Sequence, residues 1–389
     1  MEKIAIAIIK KWLRKGNMAR CMRDVLPNAG LNFEEREKVA KIVHSVVRWK
    51  RWYDYIMDYY GIEKNPANYF KIAAGEIKIN EKEVEHSIPS EKFIAIRYSF
   101  SDFLAEFLRD KPDFVTHLNK EAKTTLCVNL NKVDRKKAME MLEKEGIKAH
   151  EGSIETAIIA ESKARYSNLV KNGYAHVQDE SSQLIAKITT IHGRKILDYC
   201  AGNGGKTLAM ASITKNNAAI YVHDIDEKRI KTLKKRALRH DAKIKTHSSR
   251  EKYEVVLVDA PCTGVGAARR NPEAKYVDGV NDFPEKQKKI INEAWNFVEK
   301  DGYLIYSICS FLPMEAEAIE TIDGMDVELK EEGLRKYENG YITWLPEGDI
   351  LFISVRKNQP DLNMLAMLPS MPKETRKAVM EYIPMSAHT

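Results

Sequence analysis

Long hydrophobic runs are missing from this 389-residue sequence. No stretch approaches the ~20 apolar residues that a membrane-spanning helix needs, so no membrane partner is expected. The longest apolar run near the start, Ile4 to Ile9, gives way at once to Lys10, Lys11, Arg14 and Lys15. It is too short for the apolar region of a secretory signal, and no small-residue cleavage site follows it. A cytoplasmic location is the expectation. Cysteine is also scarce: Cys21, Cys127, Cys200, Cys262 and Cys309 are the only five, and none belongs to a C-x-x-C pair. An odd, widely spaced set argues against a disulfide framework and against a zinc site, so no metal is expected. A lone intracellular cysteine is most often a small buried apolar residue, and only its context can make it a reagent. Internal repeats and low-complexity tracts are absent.

What is present has a globular composition: 44% apolar residues, 31% charged, and a formal net charge of +7. The length suits two or three domains. The excess of Lys and Arg weakly favours a polyanionic partner but would equally fit a soluble basic protein. Residues 1–90 read as helical. Between Phe33 and Tyr60, Val39, Ile42, Val43, Val46 and Val47 recur at helical spacing. The other face carries Arg36, Lys38, Lys41, Arg48, Lys50 and Arg51, interleaved with Trp49, Trp52 and Tyr53. Two readings of that face stand side by side: a solvated helix surface over core aromatics, or a phosphate-contacting patch with stacking residues. Residues 91–160 read as a small α+β segment, with a strand from Thr124 to Asn129 and a helix from Val133 that ends at Gly146.

From 161 to 358 strand-like runs alternate with helices. The runs are Lys195–Tyr199, Ala219–Asp224, Glu254–Asp259 and Gly302–Cys309, each ending in a polar or reactive residue. This alternation predicts an α/β domain with a largely parallel sheet covered by helices on both faces. Such sheets bind ligands at the carboxyl ends of their strands, where these polar residues would gather. Residues 359–389, with Pro360, Pro369, Pro372 and Pro384, read as a tail.

Ile196 to Thr207 reads as a strand, a glycine-rich turn and a helix start. A phosphate-binding P-loop would need glycine where Cys200 stands, and the dinucleotide fingerprint would need glycine at Thr207. The next strand ends in Asp224, whose carboxylate can accept both hydroxyl protons of a ribose. With phosphate-binding features missing, a nucleoside cofactor such as S-adenosylmethionine fits better than a dinucleotide. Lys206, on the mouth of the turn, suits a ligand or carboxylate partner, or a helix surface.

Two cysteines also stand at strand ends. Cys262 lies in Asp259-Ala-Pro-Cys-Thr-Gly-Val-Gly266 and Cys309 in Tyr306-Ser-Ile-Cys-Ser310. In one sheet they would face one crevice. A thiolate in that position suits attack on C6 of a pyrimidine, which makes C5 nucleophilic enough to take a methyl group. An acid near N3 and a base for the C5 proton complete that chemistry. Spacing alone does not say which cysteine attacks.

These residues resemble the NOL1/NOP2/Sun family of RNA cytosine-5 methyltransferases. The matching stretches run in family order from 175 to 356: Gln178–Gln183, Leu197–Thr207, Asp224–Arg229, Asp259–Gly264, Arg269–Glu273, Tyr306–Ser310 and Asp349–Phe352. The resemblance implies a Rossmann-like S-adenosylmethionine-dependent methyltransferase domain acting on cytosine C5 in RNA. It assigns Cys309 as the nucleophile, Cys262 as the residue that helps release the product, and Asp259 as a hydrogen-bond partner of the base or the cofactor. Cys200, Ala201, Gly202, Asn203, Gly204, Gly205 and Lys206 would wrap the methionine part of the cofactor, Asp224 would hold its ribose, and Arg229 would contact it. Residues 34–55 and Leu126–Asn129 further resemble the family's bacterial ribosomal-RNA members, with a NusB-like RNA-binding helical domain at 1–90. Ribosomal RNA is thereby favoured as substrate, with transfer RNA left open.

The sequence departs from the family in three places. No aspartate stands in Lys245–Arg250, where an acid near the adenine is usual, and His247, Ser248 and Glu251 are the candidates to replace it. Ile308 replaces a threonine, and Ala316 an asparagine. Two competing readings follow: a catalytically weak RNA-binding or assembly protein, or a methyltransferase for a small molecule. Oligomeric state is not legible in the sequence.

Overall fold

A computed structural model of the protein describes residues 1–359. The expected tail lies outside the described residues, apart from Gln359. The chain forms two compact units, one of Met1–Ala122 with Thr263–Val280, the other of Lys123–Cys262 with the chain from Asn281 onward.

The first unit is helical, as expected. Its helix Phe33–Arg48 starts at a capping box: the Asn32 side chain accepts from Glu35 N–H, and the Glu35 carboxylate accepts from Asn32 N–H, so two N–H groups without intrahelical partners are satisfied together. Val39, Val43, Val46 and Val47 are fully buried, Ile42 partly, in one core with Ile8, Ile9 and Trp12 of helix Glu2–Lys15. Each such side chain contributes ~1.5–3 kcal/mol by leaving water. The expected helical run to Tyr60 is broken at Trp49, after which Lys50–Tyr60 forms its own helix. Arg48, before the break, and Trp52 and Tyr53, after it, all lie in the interior. They are core and not a nucleic-acid stacking surface, whereas Arg36, Lys38 and Lys41 stay exposed.

The expected boundaries near 90 and 160 do not coincide with the compact units. Helical packing continues through helix Pro112–Asn119, with Phe100, Leu104, Leu108 and Leu118 buried. The first unit also takes in 263–280, the segment that follows directly on Cys262 in the chain. This segment is tied down by buried polar bonds that periodicity does not reveal. The Arg48 guanidinium donates to the Arg269 carbonyl at 2.8 Å. The Tyr276 hydroxyl donates to the Val47 carbonyl at 2.6 Å. Glu273 accepts from Trp12 Nε1 at 2.8 Å and Met18 N at 2.9 Å. Lys275 Nζ, fully buried, donates to the Arg48 carbonyl and to Asn119 Oδ1, both at 2.6 Å.

The second unit holds two sheets. The smaller is antiparallel, in the order β2-β3-β1-β4, from β1 (Thr124–Val128), β2 (Ala149–Glu151), β3 (Ala157–Ala160) and β4 (Ala175–Val177). Asp134 caps helix Arg135–Lys144 between β1 and β2 through Lys137 N–H. The larger sheet runs parallel through β5 (Lys195–Asp198), β6 (Ala219–Val222), β7 (Ile244–Thr246), β8 (Tyr253–Asp259) and β9 (Val298–Ile308), in the spatial order β9-β8-β5-β6-β7. Strands β10 (Met325–Asp326), β11 (Leu334–Tyr337), β12 (Gly340–Thr343) and β13 (Phe352–Lys357) extend it antiparallel beyond β9. The sheet is therefore mixed, less parallel than the sequence pattern suggests; the short turn between β11 and β12 allows only antiparallel pairing there.

Two stretches far apart in sequence are joined by buried polar bonds. Asp179 caps helix Glu180–Ile191 by accepting from Ser181 N–H at 2.8 Å, and also accepts from Asp349 N–H at 3.1 Å. Ser181 Oγ donates to the Asp349 carbonyl at 2.6 Å. The order of strands reverses between β5 and β8, so a crevice opens at their carboxyl ends.

Burial, and then the Arg48 guanidinium, push the Lys275 pKa well below the ordinary lysine range. Between that depressed value and about 10.4, the unfolded chain holds a proton that the folded one has shed, so stability rises with pH. Lys275→Met should remove this component. Thermal melts across neutral to alkaline pH should show the wild type gaining on the variant as pH rises; a constant difference would refute it.

Candidate active site

The turn after β5 is shaped by its glycines. Gly204 has φ +84°, and a Cβ there would come within 2.6 Å of Leu233 Cγ on helix Glu227–His240. Only glycine allows both that backbone and that approach. The turn delivers the chain to helix Gly205–Ile213. Its neighbour β6 leads into Asp224, whose side chain is 5% exposed. Asp224 Oδ2 accepts from Gly202 N–H at 2.9 Å and Oδ1 from Asp226 N–H at 2.8 Å. Each oxygen keeps a second lone pair. Ile225 beside it is 96% exposed, an apolar surface with nothing of the protein over it. Arg229 is mostly exposed, with Nη1 3.8 Å from Asp224 Oδ2.

Beneath the turn Asp198 is buried. Thr207 Oγ1 donates to its Oδ2 at 2.6 Å, while Oδ1 makes no hydrogen bond. Burial pushes its pKa up to about 7, with the Asp259 and Asp224 carboxylates adding to the rise against the Thr207 bond. The Cys200 thiol is pushed up by burial and by Asp198, Asp259 and Asp224; it is held in the neutral, unreactive form.

Strands β8 and β9 are adjacent, with Asp259 paired to Ser307. Their ends therefore bring Cys262 and Cys309 together, with the two Sγ atoms 3.2 Å apart and both residues partly exposed. Lys206 Nζ reaches across from the glycine turn to Asp259 Oδ2 at 2.7 Å. Burial opposes its charge, but Asp259 foremost, then Cys309 and Asp198, hold its pKa above the ordinary value. An ammonium favoured by Asp259 thus stands near the Cys309 thiol. Ile308 and Ala316 are fully buried apolar residues; they belong to the core behind the site.

Of the three candidates for the adenine side, Glu251 is drawn away. Its carboxylate pairs at 3.0 Å with Lys195, the first residue of β5, at the edge opposite the thiols. Ser248 is exposed. His247 follows β7 directly, with Nδ1 2.8 Å from the Tyr253 hydroxyl and its ring 4.5 Å from that of Phe297. The connection 247–252 is too short for the helix that usually links parallel strands. Ile225 and Thr207 went unread in the sequence. An apolar residue directly after a strand-end acid was the available signal for the first; for Thr207, nothing in the spacing marked its bond to Asp198.

Among the described residues no group of three or more His, Cys, Asp or Glu could hold a metal, and no helix is long and apolar enough to cross a membrane.

A reversed-order parallel sheet with a glycine turn, a ribose-type acid and reactive groups at adjacent strand ends defines the Rossmann-like fold of S-adenosylmethionine-dependent methyltransferases. Residues 187–339 match the family model described as 16S rRNA methyltransferase RsmB/F. The chain is 33% identical over 205 residues to the probable ribosomal RNA small subunit methyltransferase B of Bacillus subtilis (strain 168), covering 48% of this chain and 46% of that protein. It spans about half the length of the curated relatives it matches. Two solved structures share its fold. The crystal structure of PH0851 has a TM-score of 0.75 at 18% identity, covering 91% of this chain and 97% of that one. A methyltransferase homolog protein from Pyrococcus horikoshii has a TM-score of 0.58 at 20% identity, covering 70% and 99%.

The raised pKa of Asp198 has a measurable consequence. Between the unfolded carboxyl value of about 3.9 and the folded value, the folded protein retains a proton that the unfolded chain has lost, so stability falls as pH climbs through that window. Asp198→Asn should flatten this fall. Melting curves from about pH 5 to about pH 8 test it; a variant that keeps the full wild-type slope would exclude Asp198 as its source.

Proposed function

We propose that this chain is an S-adenosylmethionine-dependent RNA (cytosine-5) methyltransferase acting on ribosomal RNA of the small subunit, with Cys309 as its covalent nucleophile. The observation that carries the reading is the pair of thiols at 3.2 Å, flanked by the Lys206–Asp259 ion pair. A lone nucleophile would not need a second thiol in contact with it. The name of the Bacillus subtilis relative supports the choice of ribosomal RNA.

The residues present fit the cofactor. The buried oxygen of Asp198 without a partner, the free lone pairs of Asp224 and the open apolar face of Ile225 suit a nucleoside bound along Cys200–Lys206. Asp224 would accept the ribose hydroxyls, Ile225 would lie against the adenine, and Arg229 would close over them. S-adenosylmethionine supplies a methyl group on a sulfonium, ready for transfer to a carbon nucleophile.

The Cys309 thiolate adds to C6 of the cytosine; the π pair of the C5–C6 bond shifts to C4–C5, and that of C4–N3 moves onto N3. Lys206 and Asp259 hold a charged, hydrogen-bonding edge against the base and offset the charge that builds on it. The pair then returns to C5, which forms its bond to the methyl group as the methyl–sulfonium bond breaks and leaves its electrons on sulfur. Cys262, in contact with Cys309, takes the C5 proton; the electron pair restores the double bond and expels the Cys309 thiolate. The target base must leave its stack to reach these groups.

Cys309→Ala should abolish methyl transfer to ribosomal RNA and keep cofactor affinity; retained turnover removes the nucleophile assignment. Cys262→Ala should accumulate a covalent enzyme–RNA adduct, seen as a retarded band on a denaturing gel. An adduct with Cys309→Ala instead would exchange the two roles. Loss of all cofactor affinity in the wild type would favour the non-catalytic RNA-binding reading, to which the missing acid after β7 gives its support.

A further inference from the structure

The sheet does not itself reach the two thiols. Strand β8 ends at Asp259 and β9 at Ile308, and Ala260 N–H donates to the Ser307 carbonyl at 3.0 Å just short of both cysteines. Beyond that point two fully buried polar residues join the cysteine-bearing loops. Gln287 lies on helix Phe283–Trp295, and Glu315 in the short turn of helix after β9. Gln287 Nε2 donates to the carbonyl of Pro261, next to Cys262, and to Glu315 Oε1, both at 3.0 Å. Glu315 Oε2 accepts from the hydroxyl of Ser310, next to Cys309. The chain of bonds therefore runs from one cysteine's neighbour to the other's.

The chemistry leaves one arrangement. The Pro261 carbonyl and the Glu315 carboxylate only accept, so a single amide nitrogen with two hydrogens must face both. Turning the amide round would set oxygen against oxygen. The cost is visible: Gln287 Oε1 is buried and makes no hydrogen bond. An apolar side chain would fill the same space without that cost, and an unsatisfied buried polar atom next to a reactive centre calls for a reason. The Tyr306 hydroxyl, donating to the Glu315 carbonyl at 2.8 Å, fixes the turn that presents the carboxylate.

We propose that Gln287 and Glu315 are positioning residues that hold the thiols of Cys262 and Cys309 in contact, so that product release follows methylation without a stalled adduct. The proposal rests on the assignment of Cys309 as nucleophile and Cys262 as releasing group.

Gln287→Met keeps the side-chain length and removes both donors. Its kcat should fall by roughly ten- to a hundred-fold, as small displacements of reacting groups do, with KM for RNA and affinity for S-adenosylmethionine unchanged. A covalent enzyme–RNA adduct should accumulate as in Cys262→Ala. Limited iodoacetamide treatment, read by peptide mass, should leave the wild type alkylated on one thiol and the variant on both. Glu315→Gln, which keeps an acceptor for Ser310, should lie between wild type and Gln287→Met, and it carries the same comparison if Gln287→Met does not fold. A variant that only melts earlier, with wild-type kcat per folded molecule, no adduct and wild-type alkylation, overturns the proposal. That outcome is separable from failure of the nucleophile assignment, which appears as turnover in Cys309→Ala whatever Gln287 does.

Discussion

The contact between Cys262 and Cys309 depends on β8 and β9 being parallel neighbours in a defined register. Asp259 pairs with Ser307, so both strands release their chains at the same edge. A two-residue slip in either strand would keep every apolar side chain on its own face and still move one thiol by about 6 to 7 Å along the sheet. The site thus inherits its precision from the backbone ladder. The glycine turn after β5 uses the same edge: it brings Lys206 to Asp259 and Gly202 to Asp224. Four strand ends converge on one crevice because the sheet reverses its order between β5 and β8.

Electrostatics at this edge follow from burial. Asp198 lies beneath Asp259 and Asp224, and an acid surrounded by acids and removed from water keeps its proton to about pH 7. Lys206 is the cation that relieves the cluster. Burial lowers its pKa, and the pairing with Asp259 more than offsets this. Lys275, in the helical unit, shows the opposite outcome: its acceptors are a carbonyl and an amide oxygen, and with no carboxylate beside it the same burial wins.

Several readings stayed open in the sequence for a common reason. Arg48, Trp52 and Tyr53 share a helical stripe with exposed cations in the sequence, but all three are buried. Glu251 sits close in sequence to the missing adenine-side acid and ends at the opposite edge, paired with Lys195. The first unit runs past 90 because helical packing continues through Pro112–Asn119, and it takes in 263–280 through buried polar bonds, which leave no trace in a hydrophobic pattern.

The sequence by itself determined the alternation of strands and helices over 195–309, the glycine turn, and the placing of an acid or a cysteine at four strand ends. These features are local: each follows from spacing of 2.0 or 3.6 residues or from the conformational needs of a turn. Only the tertiary structure decided which ends meet. The 3.2 Å thiol contact, the Lys206–Asp259 pair and the Gln287–Glu315 bridge join residues tens of positions apart through strand order and burial, and neither is encoded in any short stretch of the chain.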